Sequence, residues 1–360
     1  MKVLVTGSTG FLGQYVVAEL LSRGHSVWAL YRDELKRRRS LNFLFSALHQ
    51  IEKERLSWLK ADILEIGDCW EEYCRMQPGL EEVDTLLHSA ASLRFKTDVT
   101  GEPARTNVGG ARSLRQLAKR HPMKIHLIST AFVCGRIQGK TVYEVNHPPG
   151  DFINDYERSK WEAEQVWHGE ATILRPGVIV GDSRTGHCTG FTGWYTVVKG
   201  LFLLNQVLKI LPDTVRMNLR IDVPSNPEST INIIPVDYVA QAVVRIMENP
   251  NLHNRIFHLT HPAPPTHGWS HEVICRRFNI RGIQFIGLDA PIPQPSNELE
   301  QMIFKQVKAM LFYFSNNPIF DRSFTDRALP ELEVPEINEA MINRLIDYAV
   351  ETHWGESNLN

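Results

Sequence analysis

Short apolar runs rich in β-branched residues recur through the first half of the chain, at Lys2–Thr6, Val27–Tyr31, Leu56–Ala61, Val83–His88, Lys124–Ser129 and Thr172–Leu174. Amphipathic stretches with helical spacing of apolar residues separate them. Near-continuous apolar strands are buried on both faces, and strands alternating with helices return parallel to one another. The pattern therefore predicts an α/β fold with a doubly wound parallel sheet. Beyond Gly181 the pattern changes. Asp182 to Gly193 is rich in Gly, Thr and Ser, and an apolar helix-like segment runs from Trp194 to Leu211. Strand and helix signals resume at Ile231–Ile234, Tyr238–Glu248 and Arg255–Leu259, before the punctuation of His261-Pro262-Ala263-Pro264-Pro265. The expected division is a sheet domain from 1–185 and 230–262, with a smaller, mainly helical lobe from 186–229 and 263–360. The lobe would cover the carboxyl edge of the sheet, where open α/β sheets bind ligands.

The Trp194–Leu211 segment has three readings: core or subunit interface, lining for a long apolar ligand, or a membrane-surface helix. Lys199, Gly200, Asn205, Gln206 and Lys209 interrupt it, and it is shorter than the roughly 18–20 apolar residues that span a bilayer, so no transmembrane helix is expected. The apolar start, Met1–Thr6, is cut at Gly7 and reads as a strand, not a signal peptide. Composition is that of an ordinary folded protein, with 43% hydrophobic and 22% charged residues. Lys+Arg 39 against Asp+Glu 41 leaves no basic excess for a phosphate backbone, which argues against nucleic acid as a partner. The five cysteines are scattered with no C-x-x-C pair, so neither a disulfide framework nor a cysteine zinc site is written, and a cytoplasmic setting fits. His267 and His271 stand four apart, but no H-E-x-x-H accompanies them and no metal is expected.

Thr6-Gly7-Ser8-Thr9-Gly10-Phe11-Leu12-Gly13 lies between the first strand and a helical Gln14–Ser22. Glycines there permit a tight turn and let backbone N–H groups approach a pyrophosphate at a helix N-terminus. This is a dinucleotide-binding signature, spaced G-x-x-G-x-x-G. Where an acidic residue would take the ribose hydroxyl of NAD, at the end of the second strand, stand Tyr31 and Arg32. An arginine suits the 2′-phosphate of NADP, although Asp33 is next to it. Lys36, Arg37, Arg38 and Arg39 either extend that phosphate site or form a solvated helix face. Tyr156 and Lys160 are four apart and share one face of a helix after the fifth strand, whose end, Ser129-Thr130, offers hydroxyls at the sheet edge. A neighbouring Lys⁺ and a positively charged nicotinamide would lower the Tyr156 phenol from its ordinary value near 10, making it a general acid for a carbonyl oxygen.

The glycine motif, Asp62-Ile63, His88-Ser89-Ala90-Ala91, Asn107-Val108-Gly109-Gly110, Ser129-Thr130, Tyr156/Lys160 and Arg175-Pro176-Gly177 together resemble the extended short-chain dehydrogenases/reductases, a Rossmann-fold superfamily. Within it, Ala90-Ala91-Ser92-Leu93-Arg94-Phe95, Leu174 to Gly186 and Pro235-Val236-Asp237-Tyr238-Val239 resemble the thioester reductase and fatty acyl-CoA reductase branch with its male-sterility-type NAD-binding region. The resemblance covers residues 1 to about 260. It implies that Thr130 hydrogen-bonds the substrate carbonyl, with Ser129 as the rival, that Tyr156 donates the proton, that Lys160 holds the nicotinamide ribose, and that Asn107 sits beside Lys160. It also implies a cofactor site of Thr6, Gly7, Thr9, Gly10, Phe11, Leu12, Gly13, Arg32, Asp62, Ile63, Ser89, Ala90, Ala91, Lys160, Pro176, Gly177 and Val178. Val133-Cys134-Gly135 departs from the commoner Val-Tyr-Gly strand end and leaves the pocket wall open.

The activity implied is NADPH-dependent reduction of an acyl thioester, on coenzyme A or a separate carrier protein, to an aldehyde or onward to an alcohol, by a monomer or homodimer. The same parts serve NADP-linked ketone or aldehyde reductases and nucleotide-sugar epimerases or dehydratases, and a cofactor-sensing regulator could keep the fold without the chemistry.

Overall fold

The computed structural model describes residues 1–47, 54–167, 169–212, 220–223, 225–287, 301 and 317–358. The first half builds the alternation that the pattern predicts. It runs β1 (Lys2–Thr6), α1 (Phe11–Ser22), β2 (Ser26–Tyr31), α2 (Glu34–Ala47), β3 (Leu56–Lys60), α3 (Ile66–Met76), β4 (Thr85–His88), α4 (Gly110–Arg120), β5 (Lys124–Ile128), β6 (Gln138–Val142), α5 (Asp155–Trp167), β7 (Thr172–Pro176) and β8 (Val178–Val180). The second half supplies α6 (Trp194–Ile210), β9 (Ile221–Val223), β10 (Ile233–Pro235), α7 (Val236–Glu248), β11 (Ile256–Leu259), α8 (His267–Phe278), β12 (Ile283–Phe285), β13 (Asn317–Phe320), α9 (Ser323–Ala328) and α10 (Glu339–Glu351).

Seven strands form one parallel sheet in the order β11-β7-β5-β4-β1-β2-β3. The order reverses between β1 and β4, the switch point where the carboxyl ends of the strands open a crevice. Each face is covered. Val16, Val17, Leu20, Val239, Val243 and Ile246 of α1 and α7 bury one side, while Trp70, Leu114, Leu117, Ala163 and Trp167 of α3, α4 and α5 bury the other. Burial on both sides is why β1, β4, β5 and β7 read as near-continuous apolar runs, interrupted at His126 and Arg175, and do not alternate.

A third core holds the smaller lobe. Along α6, Trp194, Tyr195, Val198, Leu201, Leu204 and Leu208 form one buried helical stripe packed with Val273, Ile274 and Phe278 of α8 and Ile342, Leu345 and Ile346 of α10. Phe202 packs on Phe278 and Trp354, with ring centroids 5.7 Å away in each case. The segment is thus the core of the lobe, and of its described residues Trp194 alone reaches the cavity described below. No helix among the described residues is long and apolar enough to cross a membrane.

One part of the chain departs from the expected division. Residues 317–334, assigned by sequence to the smaller lobe, return to the sheet domain: β13 pairs with β6, and Ala328, Leu329, Leu332 and Val334 pack on the α1/α7 side. Buried Glu144 holds them there, its carboxylate accepting from His258 N at 2.8 Å, Phe324 N at 2.6 Å and Thr325 Oγ1 at 2.5 Å.

The packing of α6 separates two adjacent leucines. Leu204 is 2% exposed and Leu203 is 40% exposed. Leu204→Ala should cost about 2–5 kcal/mol in denaturant unfolding and Leu203→Ala about 0.5 kcal/mol or less. Equal losses would contradict the placement of this helix.

Candidate active site

Close backbone approaches shape the turn after β1. Gly7 has φ +70°, and a Cβ there would lie 2.6 Å from the Ala90 nitrogen; a Cβ at Gly13 would lie 2.0 Å from the Gly7 carbonyl oxygen. These glycines are needed to seat α1 against the turn and the turn against the end of β4. Helix α1 then starts at Gly10 with no side-chain cap and no acidic residue in its first turn. Thr9, Gly10, Phe11, Leu12 and Gly13 line a cavity of about 1230 Å³, so an anion in the cavity would meet open N–H groups and the positive end of the helix dipole. That cavity exceeds the roughly 300–1,000 Å³ of a single small-molecule site, which leaves space for a dinucleotide and a second ligand. The residues present fit a dinucleotide.

Ile63, Ser89, Ala90, Ala91, Pro176, Gly177 and Val178 also line the cavity. Two expected cofactor contacts do not. Thr6 is fully buried and faces the sheet, its Oγ1 2.8 Å from His88 Nδ1 and accepting from Ala90 N at 3.2 Å. It braces β1 against β4. Asp62 accepts from Leu64 N at 2.9 Å and lies 3.4 Å from Arg32 Nη1, which orients the arginine from outside the cavity wall.

At the end of β2 the basic run sorts itself. Arg37 and Arg38 pair with Glu34 at 2.5 and 3.4 Å, whereas Arg32, Lys36 and Arg39 line the cavity. Asp33 lines the cavity beside them, while its Oδ1 accepts from Leu35 N at 2.8 Å and Lys36 N at 3.1 Å at the start of α2. This cap satisfies N–H groups that would otherwise lack partners.

Across the switch point lie Thr130, Tyr156 and Lys160, all on the cavity wall. Thr130 opens a tight 3₁₀ turn, Ala131–Cys134, and its Oγ1 accepts from Phe132 N at 3.4 Å. Lys160 is 3% exposed, and its Nζ donates to the Ile128 carbonyl at 2.6 Å. Burial pushes this amine down to about 8. In the protein alone the Tyr156 phenol moves up, not down: burial and then the Glu157 carboxylate both disfavour the phenolate. Burial also pushes the His88 imidazole down to about 3, with Lys160 adding to the shift, so His88 is neutral.

Asn107 is not among the residues that line the cavity. It sits in a π turn, Arg105–Gly109, and its Nδ2 donates to Ser159 Oγ at 2.8 Å and the Ser92 carbonyl at 3.1 Å, while its Oδ1 accepts from Ser92 N at 2.8 Å. It ties the loop after β4 to the residue preceding Lys160. That loop is pinned a second time by Asp155, which accepts from Thr97 N and Thr97 Oγ1, both at 2.8 Å. Phe95 is thereby held with its ring centroid 6.4 Å from that of Tyr156.

Sequence periodicity misses the remaining walls. Phe132, Phe191, Trp194, Thr230, His267 and Phe320 reach the cavity from separate loops and element ends, and Phe320 arrives through β13. His271 lies against Cys275 Sγ and the Phe285 ring, and no metal-ligating cluster occurs among the described residues.

Residues 5–243 match the NAD-binding family described as male sterility protein. The chain belongs to that family. Among similar proteins, the nonribosomal peptide synthetase asaC of Aspergillus flavus is 28% identical over 299 residues, 73% of this chain and 26% of that protein. The UDP-glucose 4-epimerase of Neisseria meningitidis serogroup B is 32% identical over 169 residues, 46% of this chain and 47% of that protein. The chain therefore spans less than half of either relative. A terminal R domain from the myxalamid PKS-NRPS pathway superposes with TM-score 0.76 at 21% identity, over 98% of this chain and 91% of that one. A thiolation-reductase di-domain from an archaeal non-ribosomal peptide synthetase gives 0.73 at 18%, over 99% and 76%. These likenesses in structure establish a shared fold.

In this male sterility family member the shift of Lys160 has a consequence free of any ligand. Its folded value is about 8, against an unfolded value near 10.4. Between the two the unfolded chain binds more protons, so this group's contribution to stability rises with pH. The unfolding free energy of the unaltered protein relative to Lys160→Met should increase from pH 8 to about pH 10, measured in denaturant. A flat or falling difference would contradict a buried, desolvated ammonium.

Proposed function

We propose that the chain reduces an acyl thioester, presented on coenzyme A or on a carrier protein, to an aldehyde, with NADPH as reductant and an alcohol as the product of a second round. One observation carries this reading: Thr130, Tyr156 and Lys160 line the same cavity as an uncapped helix N-terminus and the cations Arg32, Lys36 and Arg39. The cations, with Asp33 held in a helix cap, support NADP over NAD. The aromatic walls Phe95, Phe132, Phe191, Trp194 and Phe320 suit an apolar acyl group better than a sugar. The synthetase and thiolation-reductase relatives support a carrier-bound thioester, and the five free thiols support a reducing, cytoplasmic setting.

When bound, the reduced nicotinamide supplies a hydride to the thioester carbonyl carbon. The chain's own residues manage the oxygen. Thr130 and Tyr156 donate hydrogen bonds to the developing oxyanion, and the phenol passes its proton to it. Burial keeps the phenol protonated at neutral pH, and the positive charge of Lys160 and of the oxidised nicotinamide would offset that upward shift as the proton leaves. Lys160, anchored on the Ile128 carbonyl, holds the cofactor ribose and sets the charge beside the phenol. Collapse of the thiohemiacetal then breaks the C–S bond and releases the thiol with the aldehyde.

Two measurements test the reading. Isothermal titration should show tighter binding of NADPH than NADH, with Arg32→Asp shrinking or reversing the preference; equal affinities would remove the basis for the assignment. With acyl-CoA and acyl-carrier substrates, Tyr156→Phe should cut turnover roughly 10²- to 10⁴-fold while NADPH affinity changes little. Near-normal turnover in that variant would make the tyrosine structural and the proposed chemistry wrong.

A further inference from the structure

The end of β5 carries two adjacent hydroxyls, and the structure treats them differently. The strand ladder runs one step past Ile128, since Ser129 N donates to the Leu174 carbonyl at 2.7 Å. Side chains along an extended strand alternate between faces. Ile125 and Leu127 lie on the side covered by α3, α4 and α5, with Ala163 and Trp167, and Ile128 lies on the α1/α7 side. Alternation therefore turns Ser129 toward the α5 side, the side from which Tyr156 and Lys160 reach the cavity. Lys160 Nζ bonds the Ile128 carbonyl, which belongs to the peptide unit that supplies Ser129 N, so ammonium and serine share one peptide. Thr130, the next residue, uses its oxygen as the acceptor in a turn.

Ser129 is 3% exposed and lines the cavity, and among the described residues its Oγ has no hydrogen-bond partner. A buried hydroxyl without a partner costs free energy that native structures seldom leave uncompensated. Its neighbours do not relieve it. The backbone around it is committed to the ladder, and the Lys160 ammonium is directed at the Ile128 oxygen. The hydroxyl is therefore available to a ligand that enters this end of the cavity.

We propose that Ser129 is a further catalytic residue, whose Oγ donates a hydrogen bond to the carbonyl oxygen of the thioester beside Tyr156. The inference rests on the reductase reading above. Thr130 and Ser129 then approach the oxygen from the two faces of the strand end, with Tyr156 completing the set of donors. Three donors exceed the two lone pairs of a ground-state carbonyl oxygen and match the three of a tetrahedral alkoxide, so the third bond is made fully only as charge develops.

Steady-state kinetics with NADPH and an acyl-CoA, beside Tyr156→Phe as reference, tests the assignment. Ser129→Ala should lower kcat by 10- to 100-fold with KM for the acyl substrate and Kd for NADPH each within about threefold of the unaltered values. Ser129→Thr should restore at least part of kcat, since it returns the hydroxyl. In Thr130→Ala/Ser129→Ala the combined loss should differ from the product of the single losses, because the two donors share one acceptor. Thermal unfolding and NADPH titration of each variant identify a misfolded protein, and the Ser129→Thr arm then carries the test. A Ser129→Ala enzyme within twofold of the unaltered kcat overturns the inference, as does a loss that appears wholly in NADPH affinity. If Tyr156→Phe is also near normal, the reductase reading fails with it; if Tyr156→Phe is inactive, only the role of Ser129 falls.

Discussion

A buried ammonium with a backbone acceptor governs the geometry of this protein. Lys160 Nζ reaches the Ile128 carbonyl at 2.6 Å, which fixes α5 against the end of β5. One turn further along the same helix, Glu164 receives both ends of the Arg175 guanidinium, at 2.9 and 2.6 Å, with both side chains fully buried. That pair ties α5 to β7, the next strand in the sheet. Removing one partner of such a pair typically costs about 3–5 kcal/mol, because a buried charge is left alone. Two anchors on one helix face set its depth and rotation together, and Tyr156, one turn before Lys160, is carried to the strand end as a result. The placement of Tyr156 and Lys160 on the cavity wall is thus a consequence of how α5 is held.

The cavity has two chemically distinct regions, and each is built by spending polar groups elsewhere. At the end beside β2, Glu34 draws Arg37 and Arg38 away, and Arg32, Lys36 and Arg39 stay on the wall with Asp33, whose Oδ1 caps α2. Beside Tyr156, Asn107 and Asp155 absorb the polar groups of the loop after β4, so Phe95 faces the cavity with the aromatic rings of Phe132 and Phe320. The smaller lobe closes this end through the His187–Trp194 segment, whose Thr189 accepts from Gln14 of α1 at 2.9 Å.

Elements decided by local rules were legible in the chain. The seven sheet strands lie in or within two residues of the apolar runs, because burial on both faces leaves a near-continuous signal. Gly7 and Gly13 were legible because nothing else fits beside Ala90 and the Gly7 carbonyl. Tyr156 and Lys160 were legible from their i, i+4 spacing on a helix after β5. What depends on contacts distant in sequence was not. Thr6 and Asp62 belong to motifs that accompany a cofactor, yet their side chains brace His88 and Arg32. The return of 317–334 to the sheet domain rests on Glu144, about 180 residues earlier in the chain, and no periodicity encodes it. An apolar stripe does not say what it meets, so α6 had three readings until α8 and α10 were placed against it.

The proposed chemistry is net hydride delivery to a thioester carbonyl beside Thr130, Tyr156 and Lys160. The most direct measurement follows a deuterium label from NADPH carrying it at the transferable nicotinamide position, with an acyl thioester as partner and mass spectrometry of the products. One deuterium should appear on the carbonyl carbon of the released aldehyde, with one free thiol for each NADPH oxidised in that first round, and both should be lost in Tyr156→Phe. NADPH oxidation without label in the acyl product, or turnover of a nucleotide sugar with no net consumption of NADPH, would contradict it.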